Sequence, residues 1–261
     1  MQPIYIGIVG KHINSSKISY TTSSMIRDEI TTALTYFGAL PIGIPLPCSY
    51  PNHDTDVYHH LHTTFTRKER TIIDSYLNLC RGLIFQGGNH IDHYEYELAR
   101  IAHQHNLPTL GFCSGQFVMT SALLPDQLEI TKVDPKLHHQ PNNPHAHLIQ
   151  VIPKTQFSQI VQDTGFFVNS RHRTCISRIL PNPTALQISA LSPEGFPEVI
   201  EDPTKKFTSL PAFIPKATFT INSCLASSRL LSPCANLQCR FPRHFLMLYH
   251  IQTKNKLTLK S

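Results

Sequence analysis

Two kinds of apolar pattern alternate along the first half of the chain. One is a short run without polar interruption, and the other is a longer stretch with apolar residues at helical spacing. Ile4-Tyr-Ile-Gly-Ile-Val9 is of the first kind and predicts a strand covered on both faces, as in a parallel sheet. Met25, Ile26, Ile30, Ala33, Leu34 and Phe37 recur at helical spacing after Ser23 or Ser24, either of which can cap the helix. Gly38 stops that helix, and Pro41 to Pro45 predicts the second strand. The pattern repeats with a helix over Arg67 to Leu79 and a strand from Gly82 to Gln86, ending in Gly87-Gly88. Asp92-x-x-Glu95 has the form of a capping box for a third helix with Tyr94, Leu98, Ile101 and Ala102 on its inner face. A β–α–β series of this kind predicts an α/β fold with a mostly parallel central sheet.

The second half reads differently. Asn14 to Ser24 in the first half, and residues 125–147 here, are polar and predict loops, the latter over the rim of a site. Short β-type runs follow at 148–152, 165–168, 175–180, 185–191 and 196–200, which predict antiparallel additions to the sheet. His59, His60 and His62 complete no ligand set at a recognised spacing, and His145-x-His147 is neither a finger nor a zincin pattern. No metal ligand and no cofactor site is assigned on this basis.

The most informative stretch runs from Leu107 to Ala122. A buried strand breaks at Cys113 and restarts as a helix, within the frame Gly111-Phe-Cys-Ser-Gly115. This is the thiol form of a nucleophile elbow, a strained strand-to-helix turn that projects its nucleophile from the sheet edge. A thiol at a helix N-terminus is expected to have a lowered pKa, since the dipole favours thiolate. Gly87-Gly88, at the C-terminal end of the preceding strand, can aim backbone N–H groups at a developing oxyanion.

Charge refines the domain picture. Residues 1–202 hold 14 basic and 17 acidic residues, whereas residues 203–261 hold 9 basic residues and no acidic one. The net charge of +6 therefore comes from the tail. A hydrolase domain over 1–207 followed by an atypical basic tail over 208–261 is the expected organisation. Absence of a charged leader and of a long apolar segment predicts a soluble cytoplasmic protein without membrane association. The seven cysteines then read as free thiols. Nucleic-acid binding rests on the tail's charge alone and is not expected, because no recognised module accompanies it.

Taken in order, Ile4 to Val9, Gly38 to Pro41, Gly82 to Gly88, Pro108 to Gly115, Val168-Asn-Ser-Arg-His172 and Ser192-Pro-Glu-Gly195 resemble the class I glutamine amidotransferase-like superfamily. More narrowly, the chain resembles the peptidase C26 group, which includes γ-glutamyl-γ-aminobutyrate hydrolase. The resemblance implies a flavodoxin-like three-layer sandwich that hydrolyses a small-molecule γ-glutamyl amide, with a homodimer left open as its assembly. It implies Cys113 as nucleophile, backbone N–H groups of Gly88 and Ser114 as oxyanion donors, and Gly87, Asn169, Ser170 and His172 on the substrate side.

The resemblance fails at one point. The family carries a His-x-Glu pair in a Phe-His-Pro-Glu-like motif beyond the Ser-Pro-Glu-Gly turn. Here no His follows until His244, and no Glu follows Glu201. Codons for Ala212 to Lys216, read from their third bases, can spell Phe-His-Pro-Glu with only wobble positions chosen. The expectation is a frameshift near 207–212, with a genuine basic extension as the competing account. An impaired hydrolase, a non-catalytic remnant and a glutaminase subunit that feeds ammonia to a synthase all stand as readings.

Overall fold

A computed structural model describes residues 3–14, 22–47, 64–88, 91–180, 185–205 and 208–212. The His59–His62 connection and the chain from 213 onward, with the codon-shifted motif, lie outside the described residues.

The first half follows the predicted order: β1 (Tyr5–Val9), a β2–β3 hairpin (Lys11–Asn14 and Thr22–Met25), α1 (Asp28–Tyr36) and β4 (Leu40–Ile44). Then come α2 (Arg67–Leu79), β5 (Gly82–Phe85), α3 (His93–Gln104), β6 (Thr109–Gly111) and α4 (Ser114–Leu123). Asn14 and Thr22 to Ser24 stand in strands, which corrects the loop expected from Asn14 to Ser24 at those positions (15–21 lie outside the described residues) and the helix cap expected at Ser23 or Ser24. The N-cap of α1 is Arg27, which makes no side-chain capping bond. Met25 is held in β3, its carbonyl accepting a hydrogen bond from Gln86 Nε2 at 2.7 Å. The Asp92–Glu95 capping box on α3 forms as predicted.

Beyond α4 lie β7 (Leu128–Lys132), the single-turn α5 (Pro135–His138), β8 (His147–Val151), α6 (Gln156–Val161) and β9 (Gly165–Val168). These are followed by β10 (Thr174–Ile179), β11 (Gln187–Leu191), β12 (Pro197–Glu201) and β13 (Thr208–Pro211). Residues 125–147, expected as a loop, thus contain a strand, a helical turn and the first residue of β8. That strand, β7, pairs with β10 outside the main sheet.

The main sheet has nine strands in the order β4-β1-β5-β6-β13-β12-β11-β8-β9. From β4 through β13 the neighbours pair in parallel, and from β13 onward they pair antiparallel. Alternate side chains of β5 feed two cores, as strand geometry requires. Leu83 and Phe85 join α2, α3 and α4 on one face, while Ile84 joins Ile30 and Leu34 of α1 on the other. A third core packs α6 against the antiparallel half through Phe157, Val161, Ile149 and Val199. Thr208–Pro211, beyond the 1–207 expected for the hydrolase domain, inserts between β6 and β12 at the centre of the sheet. That position brings Pro211 beside the elbow: its carbonyl accepts from Cys113 N–H at 2.9 Å.

Candidate active site

The turn after β6 has the conformation that a nucleophile elbow requires. Cys113 sits at φ 52° and ψ −112°, outside the regions open to an unstrained L-residue, and is the N-cap of α4. Backbone strain of this kind costs roughly 1–3 kcal/mol and persists only where the surroundings hold it in place. Here they do so through Cys113 N–H to Pro211 O, and through Gly115 N–H to Phe112 O at 2.7 Å. Gly115 is needed for close approach, because a Cβ there would collide with the Phe85 carbonyl oxygen. Strand, turn and helix can meet only if that position carries no side chain.

The thiol is half-buried and its pKa lies above the ordinary thiol value, which corrects the expectation of a depressed one. Burial is the largest cause. A hydrogen bond from the Ser114 N–H and the charges of Lys11 and Arg27 favour thiolate, and Glu198 opposes it, but burial outweighs the favourable set. The helix N-terminus therefore acts through one N–H without overcoming desolvation.

Beneath the elbow the polar groups are matched. Lys11 and Glu95 are both buried, at 3% and 0% exposure, and Lys11 Nζ donates to both carboxylate oxygens at 2.7 and 2.6 Å. Gln86, also buried, donates to Val9 O at 2.8 Å and accepts from Arg27 N–H at 3.0 Å. Arg27 Nε in turn donates to Gly87 O at 3.1 Å. Gly88 N–H donates to Ser114 Oγ at 2.9 Å, so an oxyanion could take that donor only after the Ser114 side chain rotates away.

Cys113 opens on a cleft of about 650 Å³. Of the residues assigned from the sequence, Gly88, Cys113, Ser114 and His172 line it, together with Arg171, Arg173, Cys175 and Ala212. Gly87, Asn169 and Ser170 do not. Asn169 and Ser170 are buried, and the Ser170 hydroxyl donates to His138 O at 2.7 Å. Cys175 is a free thiol pushed up to about 12, by burial first and then by the charges of Glu198 and Glu194.

Behind His172 lies a group that sequence reasoning missed. Glu198 Oε1 is 3.0 Å from His147 Nε2, 3.7 Å from His138 Nδ1 and 3.9 Å from His172 Nε2. His138, His147 and Glu198 are buried, at 0%, 4% and 1% exposure. His147 is the first inward-facing residue of β8, in phase with buried Ile149 and Val151, and Glu198 lies within a strand buried along its whole length. An imidazole and a carboxylate at core-facing positions were the available signal. The loop expected for 125–147 concealed it, because a loop has no inward phase.

Comparison with known proteins gives two kinds of match. The peptidase C26 family model matches residues 89–211, the segment that carries the elbow and the β9–β10 connection. Among solved structures, a protein from Thermoplasma acidophilum described as a putative GMP synthase subunit is similar over 100% of both chains, with a TM-score of 0.58 and 14% identity. The Trypanosoma brucei CTPS glutaminase domain with bound acivicin is similar over 96% of this chain and 94% of its own, with a TM-score of 0.56 and 14% identity. The fold is that of the class I glutamine amidotransferases. No curated protein matches the chain. Within this amidotransferase fold, Cys113 occupies the strand-to-helix turn at the C-terminal edge of the parallel strands, where open α/β sheets place their chemistry.

Proposed function

We propose that this chain is a cysteine-dependent hydrolase of γ-glutamyl amides by descent, with activity limited by the lack of a His-x-Glu pair. The observation that carries the proposal is the strained Cys113 elbow opening on a cleft with Gly88 and Ser114 beside it. In this reading the thiolate attacks the side-chain amide carbonyl and the Ser114 N–H steadies the oxyanion. The amine leaves with a proton, and water resolves the thioester. Arg171 and Arg173 on the cleft wall suit the α-carboxylate of a glutamyl group.

The weak point is proton transfer. Cys113 begins with a raised pKa and needs a base. His172 shares the cleft, but its Nδ1 faces Thr174 O at 3.2 Å and its Nε2 faces Glu198, so both nitrogens are directed at the wall. Ala212 also lines the cleft, and the codon-shifted Phe-His-Pro-Glu would begin immediately after it. A frameshift there would remove the base from beside the nucleophile. The likeness to a CTPS glutaminase domain and to a GMP synthase subunit favours a second reading, in which this chain is a glutaminase that supplies ammonia to a partner synthase.

Turnover of γ-glutamyl-γ-aminobutyrate and glutamine by three proteins tests the proposal. They are the chain itself, Cys113→Ala, and a chain carrying the codon-shifted translation from residue 213 onward. The expected results are weak turnover in the first, none in the second, and a gain of about 10²–10⁴-fold in the third. Turnover undiminished by Cys113→Ala, or absent from all three, overturns the proposal. Glutamine turnover that appears only with an added synthase would favour the ammonia-supplying reading.

A further inference from the structure

The His–Glu group behind the cleft has a hydrogen-bond pattern that the proposed hydrolysis does not use. Its members come from four separate segments: His138 ends α5, His147 opens β8, His172 lies between β9 and β10, and Glu198 is in β12. Each imidazole turns one nitrogen outward to an acceptor. His138 Nε2 meets Glu194 Oε1 at 3.1 Å, His147 Nδ1 meets Leu137 O at 3.4 Å, and His172 Nδ1 meets Thr174 O at 3.2 Å.

An outward nitrogen that faces an acceptor must carry the proton. In a neutral imidazole the inward nitrogen is then a lone pair. Two such lone pairs, on His138 Nδ1 and His172 Nε2, face Glu198 Oε1 from 3.7 and 3.9 Å, beyond hydrogen-bond distance, while His147 Nε2 hydrogen-bonds the same oxygen at 3.0 Å. The His147 bond satisfies one contact only. His138 Nδ1, His172 Nε2 and Glu198 Oε2 are buried without a hydrogen-bond partner among the described residues. Buried polar atoms left so cost roughly 1–3 kcal/mol each, and a shared cation removes the cost for the whole set at once.

The distances among His138, His147 and Glu198 fit that cation. Ligands held at 2.0–2.1 Å around a tetrahedral centre lie about 3.3 Å apart. The separations from Glu198 Oε1 are 3.0, 3.7 and 3.9 Å, and the ligand atoms of His138, His147 and Glu198 all lie within 4.8 Å of one another. The outward contacts to Glu194 and to two backbone carbonyls are the kind that fix tautomer and ring orientation at metal-bound imidazoles. Three imidazoles and one carboxylate suit a borderline ion such as Zn²⁺, whereas Mg²⁺ and Ca²⁺ take oxygen ligands.

We propose that His138, His147 and Glu198 bind one divalent transition-metal ion of the zinc type, and that His172, 3.9 Å from Glu198 Oε1, turns in as the fourth ligand when the ion binds. Such an ion would tie α5, β8, the β9–β10 connection and β12 together. It would thereby fix the Arg171–Thr174 wall of the cleft in place. The site stands independently of the hydrolase reading, because none of its evidence involves Cys113.

The experiment uses the full chain, stripped with chelator and titrated with Zn²⁺ and, separately, Co²⁺. One equivalent of bound metal per chain, a higher melting temperature, and the visible absorption of tetrahedral Co²⁺ are expected. Glu194→Ala, which removes an outward partner and no ligand, should weaken binding by about 10–100-fold. His147→Ala and Glu198→Gln should weaken it further, while Cys113→Ala and His145→Ala should leave it unchanged. Failure of the unmodified chain to take up either metal overturns the proposal, whatever the variants do. So does uptake that His147→Ala and Glu198→Gln both leave intact.

Discussion

Beneath the elbow, Lys11 meets Glu95, Gln86 bridges β1, β3 and Arg27, and Arg27 reaches Gly87. Behind the other wall of the same cleft, three imidazoles turn toward one carboxylate, only His147 bonds it, and three polar atoms go without partners among the described residues. Both regions are buried, so the contrast is not one of solvent access. One is a closed framework that stores strain at a single backbone position, Cys113. The other is an open set of acceptors that stores its cost in unpaired polar groups. A matched buried network reads as support for chemistry elsewhere, and an unmatched one points to something bound.

The largest test of this contrast is to unmatch the closed side. Lys11→Met leaves Glu95 at 0% exposure without its charge partner, with only the Asp92 N–H among the described residues still donating to it, and should cost about 3–5 kcal/mol of folding stability by denaturant titration. A loss below about 1 kcal/mol would mean that Glu95 finds other partners or is neutral. Its pKa is already raised, by burial against the lowering pull of Lys11, so a protonated Glu95 in the variant is the outcome to watch for.

A smaller effect, of opposite sign, comes from releasing the strain. Cys113→Gly should be more stable than Cys113→Ala by about 1 kcal/mol, since glycine accepts φ 52° at little cost but loses more entropy on folding. Equal stability in the two variants would mean that the elbow is not strained and that its geometry follows from Gly115 alone.

The smallest effect lies at the end of the strand that carries Glu198. Asp202 pairs with His103 Nε2 at 2.8 Å and with the hydroxyl and N–H of Thr204. Those partners hold its pKa below the ordinary carboxylate value, against the opposing effect of burial. A carboxylate depressed in the folded state stabilises above its unfolded pKa, near 3.9, and loses that contribution as pH falls through the folded value. The stability gap between the chain and Asp202→Asn should therefore be full at neutral pH and shrink on acidification. A gap that is constant with pH would rule out the linkage.

How much of this was legible beforehand depends on the range of the interactions involved. The parallel half was readable because each strand is an unbroken apolar run and each helix carries its own stripe and stop, as in Arg67–Leu79 and Gly82–Phe85. The elbow was readable because strand, turn and helix are contiguous in sequence, and glycine at 115 is required by contact with Phe85. The sign of the thiol's shift was not readable, because it depends on how much protein surrounds Cys113 rather than on the helix that follows it. The β2–β3 hairpin was also hidden, since Thr22, Ser23 and Ser24 carry turn-like chemistry and are placed in a strand only by pairing with Lys11 to Asn14.

Sequence alone thus determined the α/β class, the strand-to-helix pivot and the identity of the nucleophile candidate, all of which rest on neighbours a few positions apart. Tertiary structure decided the rest. It put β13 beside the elbow, and it gathered His138, His147, His172 and Glu198 around one point from positions up to 60 residues apart in the chain. The physical reason is that periodicity records which face of an element is buried, whereas the partner it is buried against is chosen by the order of strands in the sheet. Only that order turns an inward-facing histidine and an inward-facing glutamate into a site.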